Sequence, residues 1–127
     1  ASPGNTGNVY RPEDTANYTA LLQEFRRQLD AYGKQNHKHY LLTAAMPASQ
    51  QLALKIQVKQ VAKSLDWANL MTYDYHGTWE NTTNFDAPLY ASPNDPSKAK
   101  QYDVDDTVRY YLAHGMPGKK INLGLPF

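Results

Sequence analysis

An α/β fold with parallel strands is predicted for this 127-residue chain by three observations. Helical and extended patterns alternate along it, in the order helix, strand, helix, strand, long loop, helix, strand. One strand candidate, Trp67–Thr72, is a short apolar run bounded by polar residues, which suits a strand buried on both faces of a parallel sheet. Each pair of successive strands is separated by enough chain for a helix, as a right-handed crossover requires.

Taken in order, Ala1–Pro12 is rich in Gly, Asn, Ser and Pro and reads as a loop. From about Asp14 to Tyr32 the apolar positions Tyr18, Leu21, Leu22, Phe25, Leu29 and Tyr32 fall at helical spacing. Asp14 is placed to cap that helix and Gly33 to stop it. Gln35–His39 is a polar turn, and Tyr40–Met46 is a strand candidate stopped by Pro47. A second helix is expected between Ser49 and Leu65, with Leu54, Val58, Val61, Ala62 and Leu65 inward and Lys55, Lys59 and Lys63 on a solvated face. After Trp67–Thr72 comes a segment, Tyr75–Tyr102, too long for an ordinary connection between strand and helix. Asp103 can cap a helix running to His114, with Val104, Val108, Tyr111 and Leu112 inward and Gly115 at its end. The last strand candidate is Ile121–Leu125.

Composition excludes several function classes. Thirteen Lys and Arg against twelve Asp and Glu leave a net charge of +1 with no basic stripe, so nucleic acid is not an expected partner. There are no cysteines, which removes disulfide frameworks and thiolate metal sites. No apolar span suits a membrane. No strand is followed by a glycine-rich phosphate loop. His37 and His39 lie two apart, but no third metal ligand is evident. The acidic cluster Asp103, Asp105 and Asp106 sits where helix capping and the helix dipole explain it. No metal or cofactor is expected. Two sequons, at Asn17 and Asn81, matter only in a glycosylating host.

The stretch Asn69–Trp79, N-L-M-T-Y-D-Y-H-G-T-W, carries the chemistry. An apolar strand delivers Tyr73 and Asp74 to its carboxyl end, where parallel α/β enzymes place ligand groups. Taken alone, Tyr73 could be core and Asp74 a loop cap. Period-2 alternation puts Met71 and Tyr73 on one face, with Thr72 and Asp74 on the other unless the strand end twists. Beyond it Trp79, Phe85 and Tyr90 stand among Asn, Asp, Pro and Thr. Such aromatics suit the apolar faces of pyranose rings, or they tether the loop. His76 is expected to hold the loop by hydrogen bonds.

M-T-Y-D-Y-H-G-T-W resembles the sixth-strand motif of glycoside hydrolase family 18, the chitinases and their relatives. Leu41–Ala48 (L-L-T-A-A-M-P-A) resembles that family's fifth strand, and Lys120–Phe127 (K-I-N-L-G-L-P-F) its seventh. The resemblance covers nearly the whole chain, in the family's order. It implies a partial (β/α)8 barrel, from the fourth helix to the seventh strand, with residues 1–127 part of a single catalytic barrel domain. At about half the roughly 250 residues of such a barrel, the chain would be a fragment. The family's acidic signature, whose glutamate is the catalytic acid, would lie just upstream of Ala1, and Phe127 stops where the family continues with Tyr-Gly-Arg.

The implied activity is retaining, substrate-assisted hydrolysis of β-1,4-linked N-acetylglucosamine in chitin and chitooligosaccharides. By the same resemblance Tyr73 and Asp74 are the catalytic residues within the chain, Ala45, Met71 and Trp79 join them in binding substrate, and Met46 lies near the pocket. A secreted, monomeric parent enzyme is implied, with the 127 residues inactive alone. The chain lacks the aromatic that some relatives carry near Leu52. A non-catalytic chitinase-like lectin on the same scaffold is the alternative, distinguished by the residue at the upstream glutamate position.

Overall fold

The computed structural model describes residues 4–127. Residues 4–13 form a loop; Ala1, Ser2 and Pro3 of the predicted loop lie outside the described residues. The elements that follow are α1 (Asp14–Asn36), β1 (Thr43–Pro47), α2 (Gln50–Ala53), α3 (Val58–Ser64), β2 (Trp67–Met71), α4 (Val104–Ala113) and β3 (Ile121–Leu123), with 3-10 turns at Lys98–Lys100 and Gly118–Lys120. The strands form one sheet in the order β1-β2-β3. Both pairs are parallel, in a register that aligns Ala45, Asn69 and Asn122. The predicted α/β class, with parallel strands joined by helix-bearing crossovers, is the observed one.

The sheet is covered on one face. Met46, Ala68 and Leu70 point to the helices and are buried with Leu22, Val58, Val61, Leu65, Tyr111 and Met116. On the opposite face Ala45, Asn69, Met71 and Asn122 are exposed. The expectation that Trp67–Thr72 is buried on both faces is therefore corrected, because every helix packs on the same side. The open face is polar where the strands align: Asn69 Oδ1 accepts from Trp67 Nε1 and from Asn122 Nδ2, each at 3.2 Å. Such pairing satisfies polar groups on a surface that water reaches.

Four helix expectations also change. Asp14 is the first residue of α1 rather than its cap, and its carboxylate instead accepts from Arg11 N at 2.8 Å. α1 runs one turn past Gly33 to Asn36 and ends at His37, in the left-handed conformation at φ 53°. Gly33 is needed for space: a Cβ there would stand 2.2 Å from the Lys38 carbonyl oxygen, whose residue folds back to donate its N–H to Gly33 O. The Ser49–Leu65 helix is broken into α2 and α3, which turns Ile56 onto the core and leaves Leu54 68% exposed. In α4 the inward set is Val104, Thr107, Tyr110 and Tyr111, with Val108 half-buried against the cluster of Ala48, Tyr75 and Val104 as expected, and Leu112 faces out.

Asp66, just before β2, ties the amino end of the sheet together. Its carboxylate accepts from Leu42 N at 2.7 Å, from Arg26 at 3.2 Å and pairs with His39 at 2.5 Å, while its own N–H bonds Leu42 O. His39 is thus occupied by a carboxylate, and among the described residues no group of three His, Cys, Asp or Glu could hold a metal. Burial acts to raise the Asp66 pKa, but the Leu42 N–H, His39 and Arg26 outweigh it and hold the carboxyl below its ordinary value. A depressed folded-state pKa contributes stability above the unfolded value, near 3.9, and loses it as pH falls through the folded one. Asp66→Ala is therefore expected to cost about 2 kcal/mol at pH 7, read from the denaturant midpoint of the protein carrying this segment. The gap from wild type should narrow as pH is taken below about 4. Equal midpoints at pH 7 would contradict the assignment.

Candidate functional site

The carboxyl end of the sheet is built by buried hydroxyls. Tyr111 Oη donates to Pro47 O at 2.8 Å, closing the end of β1 onto α4. Thr107 Oγ1 lies 3.0 Å from Ala48 O and 2.9 Å from Asp103 O. With its single proton directed to one of these carbonyls, it accepts from Tyr75 Oη at 2.6 Å. Burial, reinforced by the Asp103 charge and only partly offset by Thr107, pushes the Tyr75 phenol up to about 12. Tyr75 is thus a fixed neutral anchor directly after Asp74. Asp103 caps α4 as expected, accepting from Asp106 N at 2.8 Å, and Asp105 pairs with Arg109.

Between two tyrosines of opposite environment, Asp74 takes the left-handed conformation, at φ 55°. This region is uncommon for a residue with a side chain, although Asp tolerates it better than most. The turn breaks the period-2 alternation. Tyr75 goes down to α4, whereas Tyr73 continues the open face of Met71, half-buried at the end of the strand. Asp74 is left exposed at the rim. Tyr73 rests on Gly124, where an added Cβ would lie 2.6 Å from its ring and 2.8 Å from Leu70 O. Gly124 is held there by donating to Leu70 O at 2.8 Å and accepting from Thr72 Oγ1 at 2.7 Å.

Beside Asp74 is a hollow of about 310 Å³, lined by Ser49, Gln51, Leu52, Asp74, Tyr75, Trp79 and Tyr102. It brings Asp74 and Trp79 together from either end of the Tyr73–Trp79 turn region. Tyr73 and Met71 stand outside that lining, on the open sheet face, with Met71 38% exposed. Ala45 is exposed on the same face, two residues before the Pro47–Met71 register pair, and borders a separate depression with Tyr18, Pro47 and Leu52. Met46 points the other way, into the helix-facing core. Trp79, Phe85 and Tyr90 are all exposed, Trp79 at 65%, so none tethers the loop. His76 is buried and bonded to Glu80 at 2.7 Å, which holds the loop as expected. The His76 hydrogen bond is also the first cause keeping the Glu80 carboxyl below its ordinary value.

Sequence reasoning did not single out Ser49, Gln51 or Tyr102 for the hollow, nor Thr107 and Gly124 as supports. Thr107 had a signal, since 104, 107 and 111 share a helical face and a polar residue in that stripe requires a buried partner. The hollow's remaining walls come from residues distant in sequence and had none.

Residues 2–127 match the family described as Glycosyl hydrolases family 18. Chitinase 1 of Aphanocladium album is 44% identical over 112 residues, covering 87% of this chain and 26% of that protein. Chitinase ChiA74 from Bacillus thuringiensis superposes with a TM-score of 0.92 at 46% identity, over 96% of this chain and 20% of that one. A catalytic-domain mutant of the Ostrinia furnacalis Group II chitinase, solved in complex with penta-N-acetylchitooctaose, superposes at 0.82 with 33% identity, over 92% and 29%. The chain spans about a quarter or less of the length of the curated relatives Chitinase 1 and Chitinase A1. With the family matched over residues 2–127 and the chain superposing closely on solved chitinases, this chain belongs to glycosyl hydrolases family 18.

Proposed function

We propose that the chain is part of a single catalytic (β/α)8 barrel domain, from its fourth helix to its seventh strand, in a secreted, monomeric chitinase. The open polar sheet face supports the barrel reading, since in a closed barrel that face would be the packed interior. The parent enzyme hydrolyses β-1,4 linkages between N-acetylglucosamine units in chitin and chitooligosaccharides. One observation carries this: Tyr73 and Asp74 emerge together at the carboxyl end of a parallel strand, next to a hollow that shares Asp74 with an exposed Trp79.

The reaction that fits is retaining and substrate-assisted. The carbonyl oxygen of the substrate's acetamido group attacks the anomeric carbon, forming an oxazolinium ion as the glycosidic C–O bond breaks. An upstream glutamate gives its proton to the leaving oxygen, and water then opens the ion with net retention. This chain supplies the cradle. The Tyr73 hydroxyl donates to the acetamido oxygen and holds it for attack. Asp74 bonds the same sugar and adds negative potential beside the positive charge that develops. Met71 and Ala45 form the apolar floor, and the Trp79 indole stacks on a neighbouring pyranose.

In the complete enzyme Tyr73→Phe and Asp74→Asn should each lower kcat roughly ten- to a thousand-fold, the scale for losing one positioned polar group. Wild-type turnover in both would remove these residues from the mechanism. The 127-residue chain alone should leave chitin oligosaccharides uncleaved over hours, as followed by product chromatography, because the proton donor is outside it. Among the described residues its β1 and β3 each present an unpaired edge, so its thermal melt should be broad; a sharp, reversible transition would contradict the part-barrel assignment.

A further inference from the structure

Gly77 is a glycine without a conformational reason. Its φ lies outside the left-handed region, so another residue could adopt its backbone. What requires it is space: a Cβ would meet the Trp79 indole at 2.4, 2.4 and 2.9 Å, and the three nearest atoms are all ring carbons of Trp79. One edge of the indole therefore lies on the bare Cα of Gly77 while the rest is open to solvent. Glu80 N donates to Gly77 O at 3.0 Å, closing the four residues Gly77–Glu80 into a turn. The turn is pinned from below. Glu80 Oε2 meets His76 Nδ1 at 2.7 Å, and Glu80 Oε1 meets Lys100 Nζ at 3.4 Å. The His76 side chain is 1% exposed, and its Nε2 has no partner among the described residues. Burying a ring nitrogen unsatisfied is costly, and what the burial secures is the link from the strand end to the turn.

We propose that Gly77 and the His76–Glu80 pair are positioning residues that mount the Trp79 indole, holding its free face ready for a pyranose ring of the chitooligosaccharide before substrate arrives. The proposal rests on the reading of Trp79 as a sugar platform. Exposed aromatic side chains otherwise sample several rotamers, and immobilising one on binding has an entropic cost. A mounted indole has met that cost on folding. The clash created by Gly77→Ala falls on a side chain free to swing into solvent, so the fold should survive while the indole is displaced.

The test is a double-mutant cycle in the complete enzyme, with KM and kcat measured on N-acetylglucosamine oligomers of increasing length. Trp79→Ala should raise KM for the longer oligomers about three- to tenfold, the scale of one lost ring contact. Gly77→Ala should raise it comparably with kcat and melting temperature held, and Gly77→Ala on top of Trp79→Ala should add nothing. Glu80→Ala should give a smaller loss, also absent in the Trp79→Ala background, while Glu80→Gln, which still accepts from His76, restores most of the wild-type KM. If Trp79→Ala leaves KM unchanged, the platform reading fails. If Trp79→Ala weakens binding but neither Gly77→Ala nor Glu80→Ala does, or if their losses persist without Trp79, the mount is overturned.

Discussion

Three buried hydroxyls decide where the chain leaves the sheet. A parallel strand ends with carbonyls that no neighbour reaches, and a buried carbonyl left unpaired costs roughly 1–3 kcal/mol. Here Tyr111 on α4 takes the Pro47 carbonyl, Thr107 on α4 stands within hydrogen-bond distance of both the Ala48 and Asp103 carbonyls, and Tyr75 completes the set through Thr107. With Tyr75 committed to α4 and Tyr73 to the open face, the residue between them must reverse the chain's sense. Asp74 does so by entering the left-handed region. Its exposure at the rim is thus a consequence of how its neighbours are satisfied, and the strain of that conformation sits at the position where the chemistry is proposed.

The second constraint is the one-sided covering of the sheet. Helices bury Met46, Ala68, Leu70 and Thr72, so every alternate residue of β2 is delivered to the opposite face. That face runs from Trp67 and Asn69 through Met71 to Tyr73, with an aromatic ring at each end. Gly124, just after β3, gives Tyr73 its seat. Asp66, Arg26 and His39 clamp the amino end, while the carboxyl end, tied down by Tyr111, Thr107 and Tyr75, carries the two residues proposed to bind sugar, Tyr73 and Asp74.

Much of this was legible in the chain itself. The alternating periodicities gave the parallel α/β arrangement, and N-L-M-T-Y-D placed the tyrosine and carboxylate at a strand end. Asp103 capped its helix as its position before an apolar stripe implied. The failures have physical sources. Burial of Trp67–Thr72 was overcounted because an apolar run cannot report on which side the helices pack. Gly33 looked like a helix stop, yet its role is to admit the Lys38 carbonyl, a contact set by the following turn. Leu112 and Leu54 fitted an apolar stripe but face outward, because Thr107 and Ile56 take the inward places. The hollow joins residues from 49 to 102, and no local spacing encodes such a meeting.

The central claim is that Tyr73 and Asp74 grip one N-acetylglucosamine residue at the mouth of the sheet. It is tested most directly by a crystal structure of the complete enzyme with a chitooligosaccharide bound across the site. The account predicts the Tyr73 hydroxyl about 3 Å from an acetamido oxygen, the Asp74 carboxylate bonded to that same sugar, and the chain of rings passing over Trp79. A sugar bound with neither Tyr73 nor Asp74 in contact would contradict it.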